Sequence, residues 1–455
     1  MSDKIADREI KDMIEDLSML AKRNNYINPE LYSRYNVKMG LRNSDGTGVL
    51  VGLTEIGDVH AYIMDENEKV PVDGRLIYRG IDIYDLVAGF QNEKRFGFEE
   101  CCYLLLFGQL PTQRQLEEFK WLLAEHRNLP NGFTRDLILK APSKDIMNKL
   151  ARTVLSAYSY DENPDDTSIS NVVRQSIELI ASLPTLAAYG YQALAHYYEE
   201  KSLYIHNPRH DLSTAENILH MIRPDSKYTQ SEAEILDLAL VLHAEHGGGN
   251  NSTFAIHVVT STGTDTYSAI AAGLGSLKGP KHGGANIKVM QMMENIKDNI
   301  KDWEDDDELT AYLEKIMNKD AFDKSGLIYG MGHAVYTLSD PRAVLLKKKA
   351  EGLAAEQGFM KEFKLFERVE KLSPKVFQKA KNTDKIISAN VDFYSGFVYK
   401  MLGIPMELYT PIFAIARVAG WCAHRLEEII DGGKIIRPAY KNVGEKQDYI
   451  PLSER

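Results

Sequence analysis

Two histidines and one aspartate occupy positions from which a chain could do acid–base chemistry. His282 lies in Gly279-Pro-Lys-His282-Gly-Gly-Ala-Asn286, His333 in Gly330-Met-Gly-His333-Ala-Val-Tyr336, and Asp392 in Asn390-Val-Asp392-Phe-Tyr-Ser-Gly396. Delivered by three separate connections, this set suits proton abstraction beside a carbonyl. That chemistry needs one base and a hydrogen-bond donor at each oxygen that gathers charge.

Each residue also has a structural reading. His282 follows a Gly-Pro break and precedes an amphipathic stretch, 287–293, which places it at a helix N-terminus. The helix dipole would keep its imidazole neutral, able to donate to an enolate oxygen; otherwise it caps a glycine-rich turn. Asp392 is either an N-cap or a partly desolvated base of raised pKa.

Three cations and one further histidine could hold an anion. Asp340-Pro341 is a good N-cap and first helical residue, so Arg342 falls in a first turn, where its charge opposes the dipole. It reads as an anion site or as a plain salt bridge. Arg417 is the only charged residue in 408–423, a helix opening at Thr410-Pro411. A buried arginine must be paired, with an internal acid or with a bound carboxylate. Arg437 is a lone cation in Ile435-Ile-Arg-Pro438. In His243-Ala-Glu-His246 the two histidines share a helix face, but the spacing is not that of a zinc helix. Anion binding by His246, with the amides of Gly247, Gly248 and Gly249, is the better functional reading.

Helices dominate the pattern that must position these groups. Residues 1–45 are charged and weakly periodic, giving at most one or two short helices. From 49 to 78 short β-prone runs alternate with turn residues, and Asp73-Gly74 is a hairpin signal. Thereafter helical periodicity takes over: 98–107 stops at Gly108, Thr112 and Gln115 have capping-box spacing, and Ser231 and Glu234 repeat it before an all-round apolar helix. A small-residue helix over 267–277 ends at Gly279-Pro280. No linker divides the chain, so a second domain would be inserted within the first.

Composition narrows the class of function. The 455 residues, 44% hydrophobic and 26% charged, are those of an ordinary globular protein large enough for about three domain equivalents. With 54 Lys+Arg against 65 Asp+Glu, the net charge of −11 argues against general nucleic-acid or membrane-surface binding, so an anionic substrate needs locally clustered cations. Cys101, Cys102 and Cys422 form no CxxC pair or disulfide framework and read as packing residues in a reducing compartment. The first residues lack an apolar signal core and are too acidic for a transit peptide, which points to the cytoplasm.

The order of these motifs resembles citrate synthase over roughly 76–437. The match runs through Arg75-Leu-Ile-Tyr-Arg-Gly-Ile-Asp-Ile-Tyr-Asp-Leu86, His246-Gly-Gly-Gly-Asn-Asn-Ser-Thr253, the His282, His333 and Asp392 segments, Asp340-Pro-Arg342, Ala416-Arg-Val-Ala-Gly-Trp421 and Arg437-Pro438. The resemblance implies a mainly α, two-domain helical fold with a small N-terminal β region. It divides the chain into a helical extension over 1–45, a large domain over 46–283 and 404–455, and a small domain over 284–403 that closes on substrate.

By the same resemblance Asp392 deprotonates the methyl group of acetyl-CoA and His282 stabilises the enol oxygen. His333 polarises and protonates the oxaloacetate carbonyl. His246, Arg342 and Arg417 hold the oxaloacetate carboxylates, with Arg437 supplied by the second subunit of a homodimer. Leu327, Ile328, Tyr329, Gly330, Met331 and Gly332 line the CoA site. No metal or redox cofactor is implied, since acetyl-CoA is a substrate. Lys281, Ile287 and Lys288 depart from the family's usual residues. The rival readings are a 2-methylcitrate synthase using propionyl-CoA and a regulatory protein that keeps the fold without the chemistry.

Overall fold

The computed structural model describes residues 2–43, 46–65 and 68–454. The chain divides into two compact units, one ending at Leu53 and one beginning at Thr54. In the first, the helix Ser2–Asn24 is followed by the short helix Glu30–Arg34. The sequence pattern supported only short helices here, yet the first runs for 23 residues. Its apolar residues recur at Met13, Ile14, Leu17 and Leu20, a spacing that keeps one stripe on one face.

The second unit opens with a three-stranded antiparallel sheet in the order β1 (Gly57–Asp65), β2 (Glu68–Tyr78) and β3 (Ile81–Asp82). The β1–β2 connection follows Asp65. Asp73-Gly74, the hairpin signal of the sequence, instead lies inside β2, where the register slips opposite His60 and Tyr62. Its glycine has another cause. The Gly74 N–H donates to Ser339 O at 3.2 Å, and a Cβ at Gly74 would stand 2.2 Å from that oxygen and 2.4 Å from the Tyr336 ring. Only a residue without a side chain lets β2 approach the segment after His333 so closely. Gly74→Ala is therefore expected to cost about 1–3 kcal/mol of stability, read by chemical denaturation.

The rest is helical. Phe98–Phe107 ends on Gly108 in the left-handed region at φ 78°, and Thr112 and Gln115 close a reciprocal capping box on Gln113–Glu125. The second capping box is made two residues earlier than Ser231 and Glu234: Thr229 caps Gln230–His243 with Glu232. That helix is apolar nearly all round because it is buried nearly all round. It stops at His243, so Glu245 and His246 lie in the following turn rather than on the helix.

The central element is Tyr409–Asp431, buried continuously from Tyr409 to Leu426. It packs against Phe98–Phe107, Ile169–Glu199, Gln230–His243, Asn251–Thr260 and Thr266–Lys278. Cys101, Cys102 and Cys422 are all buried in this core, and burial pushes each thiol up. Residues 284–403 add the helices Ala285–Asn299, Asp306–Met317, Pro341–Gln357, Met360–Lys381 and Val391–Met401, which pack on one another. Among the described residues no helix is long and apolar enough to cross a membrane.

Candidate active site

The loop carrying His333 and the helix carrying Asp392 are laced together by backbone. Gly332 N donates to Ser388 O at 2.7 Å, Asn390 N donates to Gly330 O at 2.9 Å, and Asn390 Nδ2 donates to Gly332 O at 2.8 Å. Gly330, at φ 78°, is again a place where no side chain fits, since a Cβ would meet Val289 and Phe393 at 2.8 Å.

Asn390, not Asp392, caps the helix Val391–Met401: its side chain accepts the Asp392 N–H at 3.0 Å. Relieved of capping, the Asp392 carboxyl turns inward, and its Oδ1 is sealed from solvent with no hydrogen-bond partner. Burial raises its pKa to about 6, with Arg342 pulling the other way. A carboxylate so poised can take a proton near neutrality. The acid limb of kcat/KM is expected to rise through about pH 6 as this group deprotonates. A pH–rate profile checks it, and a limb that persists in Asp392→Asn would assign it elsewhere.

His333 is fixed by the backbone that follows it. Its Nδ1 accepts the N–H groups of Val335 and Tyr336, both at 3.1 Å, and its ring stacks on Tyr336 with centroids 4.7 Å apart. With Nδ1 an acceptor, the neutral ring carries its proton on Nε2. That nitrogen faces His246 Nε2 at 3.2 Å. The His246 ring is held well below its ordinary pKa by burial and by Arg342, His333 and Arg417.

His282 sits in the turn before Ala285–Asn299, as its glycines suggested, with Gly284 at the cap position. Its Nε2 is 3.1 Å from Ser252 Oγ, which also receives the Trp421 indole N–H at 3.2 Å. Burial and the charge of Arg417 lower its pKa to about 4, so it is neutral at physiological pH.

The two buried arginines are not equivalent. Arg342 is paired within the chain: Nε and Nη2 reach the two oxygens of Asp340 at 3.0 and 2.8 Å. Asp340 also caps the helix Pro341–Gln357 and accepts Val391 N–H at 3.2 Å, so this ion pair joins the Arg342 helix to that of Asp392. Arg417 gives Nε to His243 O at 2.6 Å and stands 4.7 Å over the Phe413 ring, while Nη1 and Nη2 are buried without a partner. Burial lowers its pKa to about 10, so it remains a cation. An uncompensated buried guanidinium fork is a site for a carboxylate.

The other expected residues fall into place unequally. His243 packs on Phe413 at 4.5 Å, so it and His246 face different neighbours. Of the three glycine amides after His246, that of Gly247 is already taken by Glu245 Oε1. Arg437 is exposed on the C-terminal segment. There Ile436 N donates to Ser261 Oγ, at the end of Asn251–Thr260 opposite to Ser252 and His282, roughly 13 Å along that helix. In residues 327–332, Leu327 is exposed, Ile328 and Gly330 are buried, and the Tyr329 hydroxyl donates to Asp323 at 2.8 Å. Sequence reasoning missed Ser252, which orients His282, and the acids and imidazoles behind Arg417 described below. Their contacts join residues 30 or more than 150 positions apart in the chain.

This is a helical enclosure with one poised carboxylate, neutral imidazole donors and an unsatisfied guanidinium. Residues 43–439 match the family model described as citrate synthase, C-terminal domain. The chain is 37% identical to the citrate synthase of Haloferax volcanii over 84% of this chain and 93% of that one. It is 35% identical to 2-methylcitrate synthase 1 of Corynebacterium glutamicum over 86% and 94%. The ternary complex of carboxymethyl coenzyme A and oxaloacetate with the Thermoplasma acidophilum citrate synthase superimposes with a TM-score of 0.74 at 27% identity, covering 92% of this chain and 99% of that one. Fold and site thus define a mainly α enzyme of acyl transfer that makes a carbon–carbon bond. The chain belongs to the citrate synthase family.

Proposed function

We propose that this protein condenses acetyl-CoA with oxaloacetate and hydrolyses the citryl thioester to citrate and CoA. The observation that carries this is the Arg417 fork, buried and unpartnered in the same enclosure as the Asp392 carboxyl. A thioester α-carbon is a weak acid, so Asp392 removes its proton only while a donor stabilises the oxygen. His282 is that donor, worth roughly 100 to 1000-fold in rate. The Nε2–H of His333 polarises the oxaloacetate carbonyl and passes its proton to it as the bond forms. Arg417, Arg342 and His246 bind the carboxylates, and residues 327–332 contact CoA. Closure of residues 284–403 excludes water from the enol. These donors and one base account for the chemistry without a cofactor.

Release of free CoA thiol on mixing the protein with oxaloacetate and acetyl-CoA tests this directly. Silence would favour a regulatory role. The Corynebacterium relative gives a reason to run propionyl-CoA in parallel, because one extra methylene changes discrimination by only about 1–3 kcal/mol. Faster use of propionyl-CoA would make this a 2-methylcitrate synthase.

The exposed Arg437, remote from its own His282, supports a homodimer in which each subunit completes the other's site. Mixing inactive Arg437→Ala and Asp392→Asn subunits is expected to restore part of the activity. Proven heterodimers without recovery would remove the shared site.

A further inference from the structure

Behind the Arg417 fork lies a file of four titratable side chains drawn from three elements. Glu428 Oε2 is 2.8 Å from His257 Nδ1, His257 Nε2 is 3.1 Å from His424 Nδ1, and His424 Nε2 is 3.1 Å from Glu245 Oε1. Glu245 and His424 are fully buried, whereas His257 and Glu428 keep 13% and 16% of their side chains exposed. The file therefore runs from the core to the surface.

Its proton count is fixed by hydrogen bonding. Each of the three contacts needs one proton between its two atoms, and the carboxylates at both ends can only accept. Three contacts need three protons, but two neutral imidazoles carry only two. A third is required, and without it one contact becomes a lone-pair clash inside the core.

The inner end touches the anion pocket. Glu245 Oε1 also accepts the Gly247 N–H, which fixes the turn carrying His246. Gly420, midway between Arg417 and His424 on one helix face, has no side chain because a Cβ there would stand 2.4 Å from Ala244 O and Glu245 Oε2. Glu245 is thus wedged against the helix between the arginine and the histidine.

We infer that the Glu245–His424–His257–Glu428 array stores one extra proton and, through it, positions His246 and Arg417 for a dianionic substrate. With that proton the array carries two carboxylates against one imidazolium, a net −1; without it the two carboxylates stand alone at −2. Loss of the proton places more negative charge behind an anion pocket and frees the turn at Glu245. Burial would raise the Glu245 pKa, but His424, Arg417 and the Gly247 amide more than offset it and leave the carboxyl below its ordinary value, whereas burial and the neighbouring His424 lower the His257 imidazole against the pull of Glu428. Other groups facing the array are Glu427, whose Oε1 takes the Glu55 N–H at 2.8 Å and whose Oε2 is 3.8 Å from His424 Nδ1, and Arg425, which turns away to Thr260, Thr264 and Thr266. Gly248 presents only backbone to the two rings.

Glu428→Gln tests the count with little change in shape. Its carboxamide can donate to His257 Nδ1, so three hydrogen bonds form with two neutral imidazoles and no extra proton. Nitrogen-15 spectra of histidine-labelled wild type should contain an imidazolium signal shared by His257 and His424 that is missing in the variant. This readout is independent of catalysis; its absence from the wild type overturns the stored proton. The second readout rests on the proposed use of oxaloacetate. The wild-type KM for oxaloacetate should climb by up to about tenfold per pH unit on the alkaline side, with kcat changed far less. Glu428→Gln should flatten that climb. An unchanged climb in a variant that has lost the imidazolium signal would sever the array from the anion pocket.

Discussion

Asp392→Asn is expected to lower turnover by at least about 100-fold, and up to about 10,000-fold, while leaving the protein folded and more stable than the wild type at neutral pH. The first half follows from chemistry: the amide keeps the shape of the side chain but cannot take a proton from carbon. The second half follows from the position of the carboxyl. Its pKa rises from 3.8 to about 6 on folding because burial penalises the charge. The folded state therefore favours the proton. Its stabilising contribution is complete below the unfolded pKa and is lost as pH rises through about 6. Above that, the buried charge costs on the order of 3 kcal/mol, the free energy that separates an unfolded pKa of 3.8 from a folded one of about 6. Asparagine escapes the cost, so the stability gain should appear at pH 7 and vanish near pH 4. Urea denaturation at both values, with single-turnover thiol release, tests the pair of effects. Near-normal turnover would mean that another group is the base, and a variant less stable at pH 7 would mean that the carboxylate is better solvated than its burial indicates.

Local grammar made much of the frame legible. Gly108 ends its helix, Thr112 and Gln115 cap theirs, and Arg417 stood out as one charge in an apolar run, because all three depend on neighbours a few residues away. Whether Asp392 was a cap or a base stayed open because an aspartate at a helix start suits both; Asn390 takes the cap, and Asp340, which engages Val391 N–H, reaches that helix start only through tertiary packing. Asp73-Gly74 misled for a related reason: its glycine answers to Ser339 and Tyr336, some 260 residues away, and not to a turn. The motif order pointed to His282, His333 and Asp392, but nothing local could show that Glu245, His257, His424 and Glu428 form one file. Buried polar groups find partners through packing, and packing has no period in the sequence.

That distinction between local and long-range partners sets the last expected result. Arg417→Leu should reduce kcat/KM for oxaloacetate by about 1000-fold and leave stability within about 2 kcal/mol of the wild type. Truncating one side of a buried charge pair costs about 2–5 kcal/mol in binding, and here the other side is the substrate itself, so the loss falls on affinity and not on the fold. In the free protein the substitution removes an uncompensated buried cation, a gain, and strands His243 O, a loss of about 1–3 kcal/mol. Arg417→Lys should recover only a fraction, because an ammonium cannot present the planar fork. Arg342→Leu should behave differently: it abandons Asp340, which ties together the helices of Arg342 and Asp392, so destabilisation and lost activity should arrive together. Steady-state kinetics with varied oxaloacetate, beside denaturation curves for all three variants, separates the two arginines. If Arg417→Leu kept its affinity for oxaloacetate, the unpartnered fork would not be the carboxylate site, and the reading built on it would fall.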